Sequence, residues 1–343
     1  MIDHLKNLLP GIVVCIGVTA AAMLLQTVEV HFAGQPYLEA LVLAILLGVA
    51  IRTAWHPGPR WQPGVAFSAK FVLELAIVML GASVSVTTIL ALGPVLIFGI
   101  AGIVAMAIGS SYTIARALGL PLRMSILVAC GNSICGNSAI AAVAPVIGAD
   151  SDDVAWSISF TAVLGVVVVL GLPLLVPILH LSLTQYGVLA GLTVYAVPQV
   201  LAATLPIGEL SNQVGTVIKL VRVLMLGPVV LGISLFARSL RAGSARDRSG
   251  SRAPRLQELV PWFIIGFLVV LIVRSLGLIP QGLLHPITRA ASLLTTVAMA
   301  ALGLGVDVRI VARTGARVTL AVTASLIVLG IMSYGLIRLT GMP

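Results

Sequence analysis

The chain has 343 residues, 59% of them hydrophobic and only 9% charged, where a soluble domain carries about a quarter charged residues. Its mean hydropathy is +1.15. A soluble globular protein is excluded, and so is a nucleic-acid binder, because the basic residues behind the net charge of +9 are scattered through apolar sequence.

Hydropathy marks spans near 11–29, 36–51, 71–92, 95–116, 122–147, 154–179, 185–207, 213–237, 259–279, 288–308 and 317–340. At about 20 residues per crossing, these predict an all-α polytopic membrane protein with about 11 transmembrane helices. The first span follows Lys6 and contains Ala20-Ala21-Ala22, but its apolar run is long for a signal peptide, so it is read as a helix. The second is short, with Leu38–Ile51 also fitting a re-entrant segment. Loop charge favours a crossing. If every span crosses, Lys6, Arg52, Arg60, Lys70, Arg116, Arg123, the arginines of 238–255 and those of 309–317 share one side, and only Arg274, Arg289 and Arg338 take the other. The positive-inside rule then places the N-terminus in the cytoplasm and the C-terminus outside.

Trp55 and Trp61, among His56, Pro57, Pro59 and Pro63, read as an interfacial anchor. Lys70 and Glu74 are spaced for a local ion pair. The segment 238–258, rich in Arg, Ser and Gly, reads as a flexible basic cytoplasmic loop that could touch anionic lipid headgroups.

The fifth span carries Cys130-Gly131-Asn132-Ser133-Ile134-Cys135-Gly136-Asn137-Ser138 at its centre, a local duplication of Cys-Gly-Asn-Ser. Glycine and Asn-Ser pairs weaken a helix, so a broken helix is expected at mid-membrane. Freed backbone groups are tolerated there only against protein or a polar cavity, and a half-helix starting near Gly136 would aim its N-terminal dipole at an anion. The competing reading is a small-residue packing seam in an unbroken helix.

The eighth span places Glu209, Asn212, Thr216, Lys219 and Arg222 on one stripe. Arg222 falls about 15 Å from the outer end at 1.5 Å per residue, near the bilayer centre, with Lys219 one turn away. No acidic residue lies near the middle of any span, so the countercharge can be an anionic substrate; the alternative is that Lys219 snorkels and Arg222 rests on backbone carbonyls. In the seventh span Pro198 disrupts the helix and Gln199 could line a cavity. The cysteines Cys15, Cys130 and Cys135 have no metal-site spacing and no histidine lies at depth, so neither metal nor other cofactor is expected.

Leu80-Gly81-Ala82-Ser83-Val84-Ser85-Val86 echoes Leu302-Gly303-Leu304-Gly305-Val306-Asp307-Val308. The echo is compatible with inverted repeats: an extra helix in 1–35, a first five-helix unit in 36–180 and a second in 185–340, pairing the fifth span with the tenth around Ala298–Gly303.

The chain resembles the YeiH type, a bacterial inner-membrane family that carries a sulfate-exporter label. The matching pieces are Ser133-Ile134-Cys135-Gly136 with Ser138-Ala139-Ile140-Ala141, then Val217-Ile218-Lys219-Leu220-Val221-Arg222-Val223-Leu224, Pro261-Trp262-Phe263 and Ala298-Met299-Ala300-Ala301-Leu302-Gly303-Leu304. The family is similar to the bile-acid, arsenite and riboflavin transporters. That resemblance implies two inverted five-helix repeats with broken crossing helices, placement in the inner membrane and a homodimer. It sets Asn132, Ser133, Cys135, Gly136, Asn137 and Ser138 at a crossing with Ala300 and Gly303, facing Lys219 and Arg222. It departs at Tyr195-Ala196, where the family tends to have a His-Glu pair before Val-Ala-Gln, and at Asn132 and Asn137, which replace smaller or hydroxyl residues.

The function expected is secondary transport of small anions, first among them sulfate or a related sulfur oxyanion or sulfonate, by alternating access. Its substrate site would comprise Asn132, Ser133, Cys135, Gly136, Asn137, Ser138, Gln199, Lys219, Arg222, Ala300 and Gly303. There is no Walker A string, so sodium, protons or a counter-substrate must drive it. Rivals are a sodium-coupled organic-anion symporter using carbonyls at Gly131 and Gly303, a passive pore, and an intramembrane enzyme with Cys130 or Cys135 as nucleophile. The enzyme would need a base that the spans do not supply.

Overall fold

A backbone in hydrocarbon must satisfy its own polar groups, and helices do so within one segment. The computed structural model describes residues 2–33, 39–55, 58–82, 93–241, 262–306 and 316–341, and among these there are helices and no strands. In chain order they are α1 (Ile2–Ala33), α2 (Ala40–Ala54), α3 (Gln62–Leu80) and α4 (Gly93–Ala117). Then come α5 (Leu122–Ser133), α6 (Asn137–Ile147) and α7 (Ser151–Gly171), which continues through a 3-10 turn to Leu179. The second half holds α8 (Leu183–Thr193), α9 (Val197–Thr204), α10 (Glu209–Leu224), α11 (Leu226–Arg241), α12 (Trp262–Ser275), α13 (Gln281–Gly305) and α14 (Ala316–Thr340).

Among the described residues, seven stretches are long and apolar enough to cross a membrane: α1, α3, α4, α7, α10 with α11, α13 and α14. Large apolar side chains such as Phe98, Ile178, Leu235 and Ile331 point outward, as they do where the solvent is lipid. The all-α membrane class expected from composition is therefore what the chain forms.

Four expectations are corrected. The third span was placed at 71–92, but its helix begins at Gln62, because Pro63 in the first turn needs no N–H partner there. The Lys70–Glu74 pair does not form. A π segment at Ser68–Val72 shifts the register between them, and Glu74 accepts a hydrogen bond from Trp262 Nε1 at 2.7 Å. The seventh span is disrupted as expected, but at Val194–Ala196, between α8 and α9, and not at Pro198, which sits in the first turn of α9. The tenth, expected to break around Ala298–Gly303, is the continuous helix α13, whose apolar small residues give no reason to open the ladder. Most of the basic loop 238–258, and the echo at 83–86 and 307–308, lie outside the described residues.

The helices pack through glycine. On α2 and α13, a Cβ at Gly48 would fall 2.6 Å from the Ala300 carbonyl oxygen, and one at Gly303 would collide with that of Ile45. On α8 and α10, Gly191 and Gly215 each lie under the opposing backbone. Such contacts bring helix axes together where side chains would hold them apart. Two large apolar cores result, beside a smaller third where α4, α5 and α14 meet. One joins α1, α2, α13 and a face of α9. The other surrounds α5, α6, α8 and α10, and it encloses the polar centre.

Candidate functional site

Two helix breaks meet at this centre. At the first, α5 stops at Ser133, Ile134 leaves helical geometry at φ −115° and ψ −83°, and Gly136 takes φ +65° before α6 begins. Glycine is favoured at 136 because its positive φ is strained for other residues, and a Cβ there would also press on Tyr195 Cβ at 3.2 Å. At the second break, α8 ends at Thr193, Val194 and Ala196 are extended, and Pro198 sits in the first turn of α9. The Gln199 side chain turns back to accept the Ala196 N–H at 3.2 Å. A hydrogen bond from the Tyr195 hydroxyl to Asn132 Oδ1, 2.6 Å, ties the two breaks together.

A helix that ends in the membrane leaves carbonyl oxygens without partners and carries the negative end of its dipole. Both ends here are met from α10. The Lys219 ammonium donates to the carbonyls of Ile134 at 2.7 Å and Val194 at 2.8 Å. The Arg222 guanidinium donates through Nε to Ser133 O at 2.7 Å, and through its terminal nitrogens to Asn132 O at 2.7 Å and Val194 O at 3.1 Å. Lys219 is 0% exposed and Arg222 1%, so snorkelling is ruled out in this conformation. Among the described residues no carboxylate meets either cation. Two buried positive charges thus rest on carbonyl dipoles alone.

Of the residues expected to form a site, the structure gathers Asn132, Ser133, Gly136, Lys219 and Arg222, with Cys135 buried beside both cations. The Ser133 hydroxyl is buried without a hydrogen-bond partner. Asn137 is half-buried and accepts from Thr161 Oγ1, whereas Ser138 is exposed. Gln199 is buried at the second break and packs on Gly165 of α7. Ala300 and Gly303 are not part of the cluster; they lie in the α2–α13 seam, within the other core. Sequence reading missed Val194, whose carbonyl both cations share, and the positioning partners Tyr195 and Thr161. For Tyr195 the signal was present: it lies three residues before the proline that restarts the helix.

The chain matches the family described as conserved hypothetical protein 698 over residues 10–322. It is 58% identical to the UPF0324 membrane protein of Brucella melitensis, over 99% of this chain and 93% of that one. Identity is 56% to the Bradyrhizobium diazoefficiens UPF0324 membrane protein, covering 98% of this chain and 94% of that one. A Bacillus cereus UPF0324 membrane protein is 33% identical, over 95% of this chain and 91% of that one. No solved structure matches.

Proposed function

The chain belongs to the conserved hypothetical protein 698 family of membrane proteins, and we propose that it is a secondary transporter of small anions working by alternating access. One observation carries this reading: two fully buried cations converge on two helix breaks with no carboxylate among the described residues to neutralise them. Cations at such depth are costly without a countercharge, and a carbonyl supplies only a partial one. An anion completes the balance.

The donors for it are in place. An ammonium has three N–H groups and a guanidinium five, so both cations retain N–H groups beyond those given to carbonyls. Charge-assisted bonds from these, with the unpartnered Ser133 hydroxyl, suit a compact oxyanion. Sulfate, or a related sulfur oxyanion or sulfonate, is the first candidate, since two charges on a tetrahedral anion match two cations. The first-turn N–H groups of α6 add an anion-favouring dipole end. Because both cations are covered here, substrate entry requires α10 to part from the breaks, exposing them to one side and then the other. The shorter helices α2 and α12 and the interrupted pairs α5–α6 and α8–α9 complete about 11 crossings, with the N-terminus cytoplasmic in the inner membrane.

The test is exchange of radiolabelled sulfate into proteoliposomes preloaded with unlabelled sulfate, for wild type and Lys219→Ala. Saturable exchange is expected, and its loss in the variant. Wild-type flux that rises without saturation and is not accelerated by internal sulfate would identify a pore instead. No exchange by folded protein would discard sulfate and call for a wider anion screen.

A further inference from the structure

We propose that the Lys219 ammonium is a tethered replacement for a coupling cation, filling a carbonyl cage built by the two helix breaks, so that anion transport by this chain needs no sodium. This rests on the transporter reading above and concerns what drives it.

The oxygens of Asn132, Ser133, Ile134 and Val194 come from two separate breaks and are met by two neighbouring side chains of α10, which share Val194 O. Unwound carbonyls and half-helix C-termini at mid-membrane are the groups that coordinate Na⁺ in transporters with discontinuous helices. Here they are already spent. Lys219 Nζ lies between Ile134 O and Val194 O at 2.7 and 2.8 Å, so it occupies the point where a free cation would bridge the two breaks. Arg222 takes the remaining oxygens and shares Val194 O. A further cation would have to displace Lys219 beside the Arg222 guanidinium, with no carboxylate among the described residues to balance it. The other place from which a sodium site was expected, Gly303, is closed by the α2 backbone.

The same geometry makes the replacement reversible by mutation. Truncating Lys219 vacates a position already built to hold one positive charge beside Arg222. A small ammonium ion, or Na⁺, can enter it and restore the bridge between the carbonyls.

Two measurements test this. First, wild-type sulfate exchange is recorded in NaCl, KCl and choline chloride at matched pH, with equal rates expected; a tenfold or greater loss in choline overturns the proposal. Second, thermal unfolding of purified Lys219→Ala in detergent is followed with choline, Na⁺ and ethylammonium. The unfolding midpoint should rise by several degrees with ethylammonium or Na⁺ relative to choline, while wild type stays unmoved. A folded variant indifferent to all three ions shows that Lys219 is a structural cap alone and overturns the proposal. Lys219→Met serves where the alanine variant does not assemble, and the wild-type ion series is independent of both. If wild type exchanges no anion at all, the transporter reading fails, while the unfolding series still decides whether the cage accepts a cation.

Discussion

Residues 132–138 and 298–303 look alike as sequence, each a run of small residues at the middle of an apolar span. In space they have opposite characters. In the first, the helix stops, Gly136 takes a positive φ before α6 begins, and the freed carbonyls meet Lys219 and Arg222 in the core. In the second, α13 continues without interruption and Gly303 admits the α2 backbone into contact, with Ala298, Met299, Ala300 and Ala301 all 0% exposed. Small residues signal that something comes close. Whether it is a ligand-binding group or another helix depends on whether backbone hydrogen bonds are broken there and on what polar group answers them.

The largest effect that separates the two regions is expected from Arg222→Met, which keeps bulk and removes the donors. The carbonyls of Asn132 and Ser133 lose their partners, at about 1–3 kcal/mol each. Relief of repulsion with Lys219 offsets only part of this. Unfolding in detergent should shift strongly downward and anion exchange should vanish. A variant as stable as wild type would show that these carbonyls find other partners. Next is Gly303→Val. Its added atoms meet the Ile45 carbonyl, and overpacking costs about 1–3 kcal/mol. It should lower the unfolding midpoint yet leave the sulfate affinity of the folded fraction unchanged, because the seam belongs to the other core. A changed affinity would return Gly303 to the site.

How far each region was legible follows from the same contrast. The break at 134–136 could be read because two glycines and two Asn-Ser pairs all oppose a helix, and the stripe on α10 because its charges recur at helical spacing. The second break was only half legible. Pro198 announced a disturbance, but proline belongs in a first turn, so the break lies before it, at Val194–Ala196. Val194 itself could not be found, since its contribution is a backbone carbonyl that any residue would supply. The continuity of α13 was hidden for a related reason: its alanines favour an unbroken helix, but Gly303 beside them fits a break and a tight seam equally well. The resemblance to transporters with broken crossing helices favoured the break, and the α2 backbone lying over Gly303 shows the seam.

The smallest effect, and the finest test of the contrast, comes from Tyr195→Phe. It removes one hydroxyl and leaves the ring that packs at Gly136. A neutral hydrogen bond contributes about 0.5–1.5 kcal/mol, so the unfolding midpoint should fall only slightly. The consequence for function should be larger than that for stability. Asn132 is held through its side chain by Tyr195 and through its carbonyl by Arg222, so the Tyr195 hydroxyl sets where one end of the cation cluster lies. Sulfate affinity should weaken by a few fold in a protein of nearly wild-type stability, and Tyr195→Trp, too large for the contact at Gly136, should fail on both measures. Equal affinity for the phenylalanine variant would mean that Arg222 alone positions the break, leaving Tyr195 as packing of the kind found at Gly303.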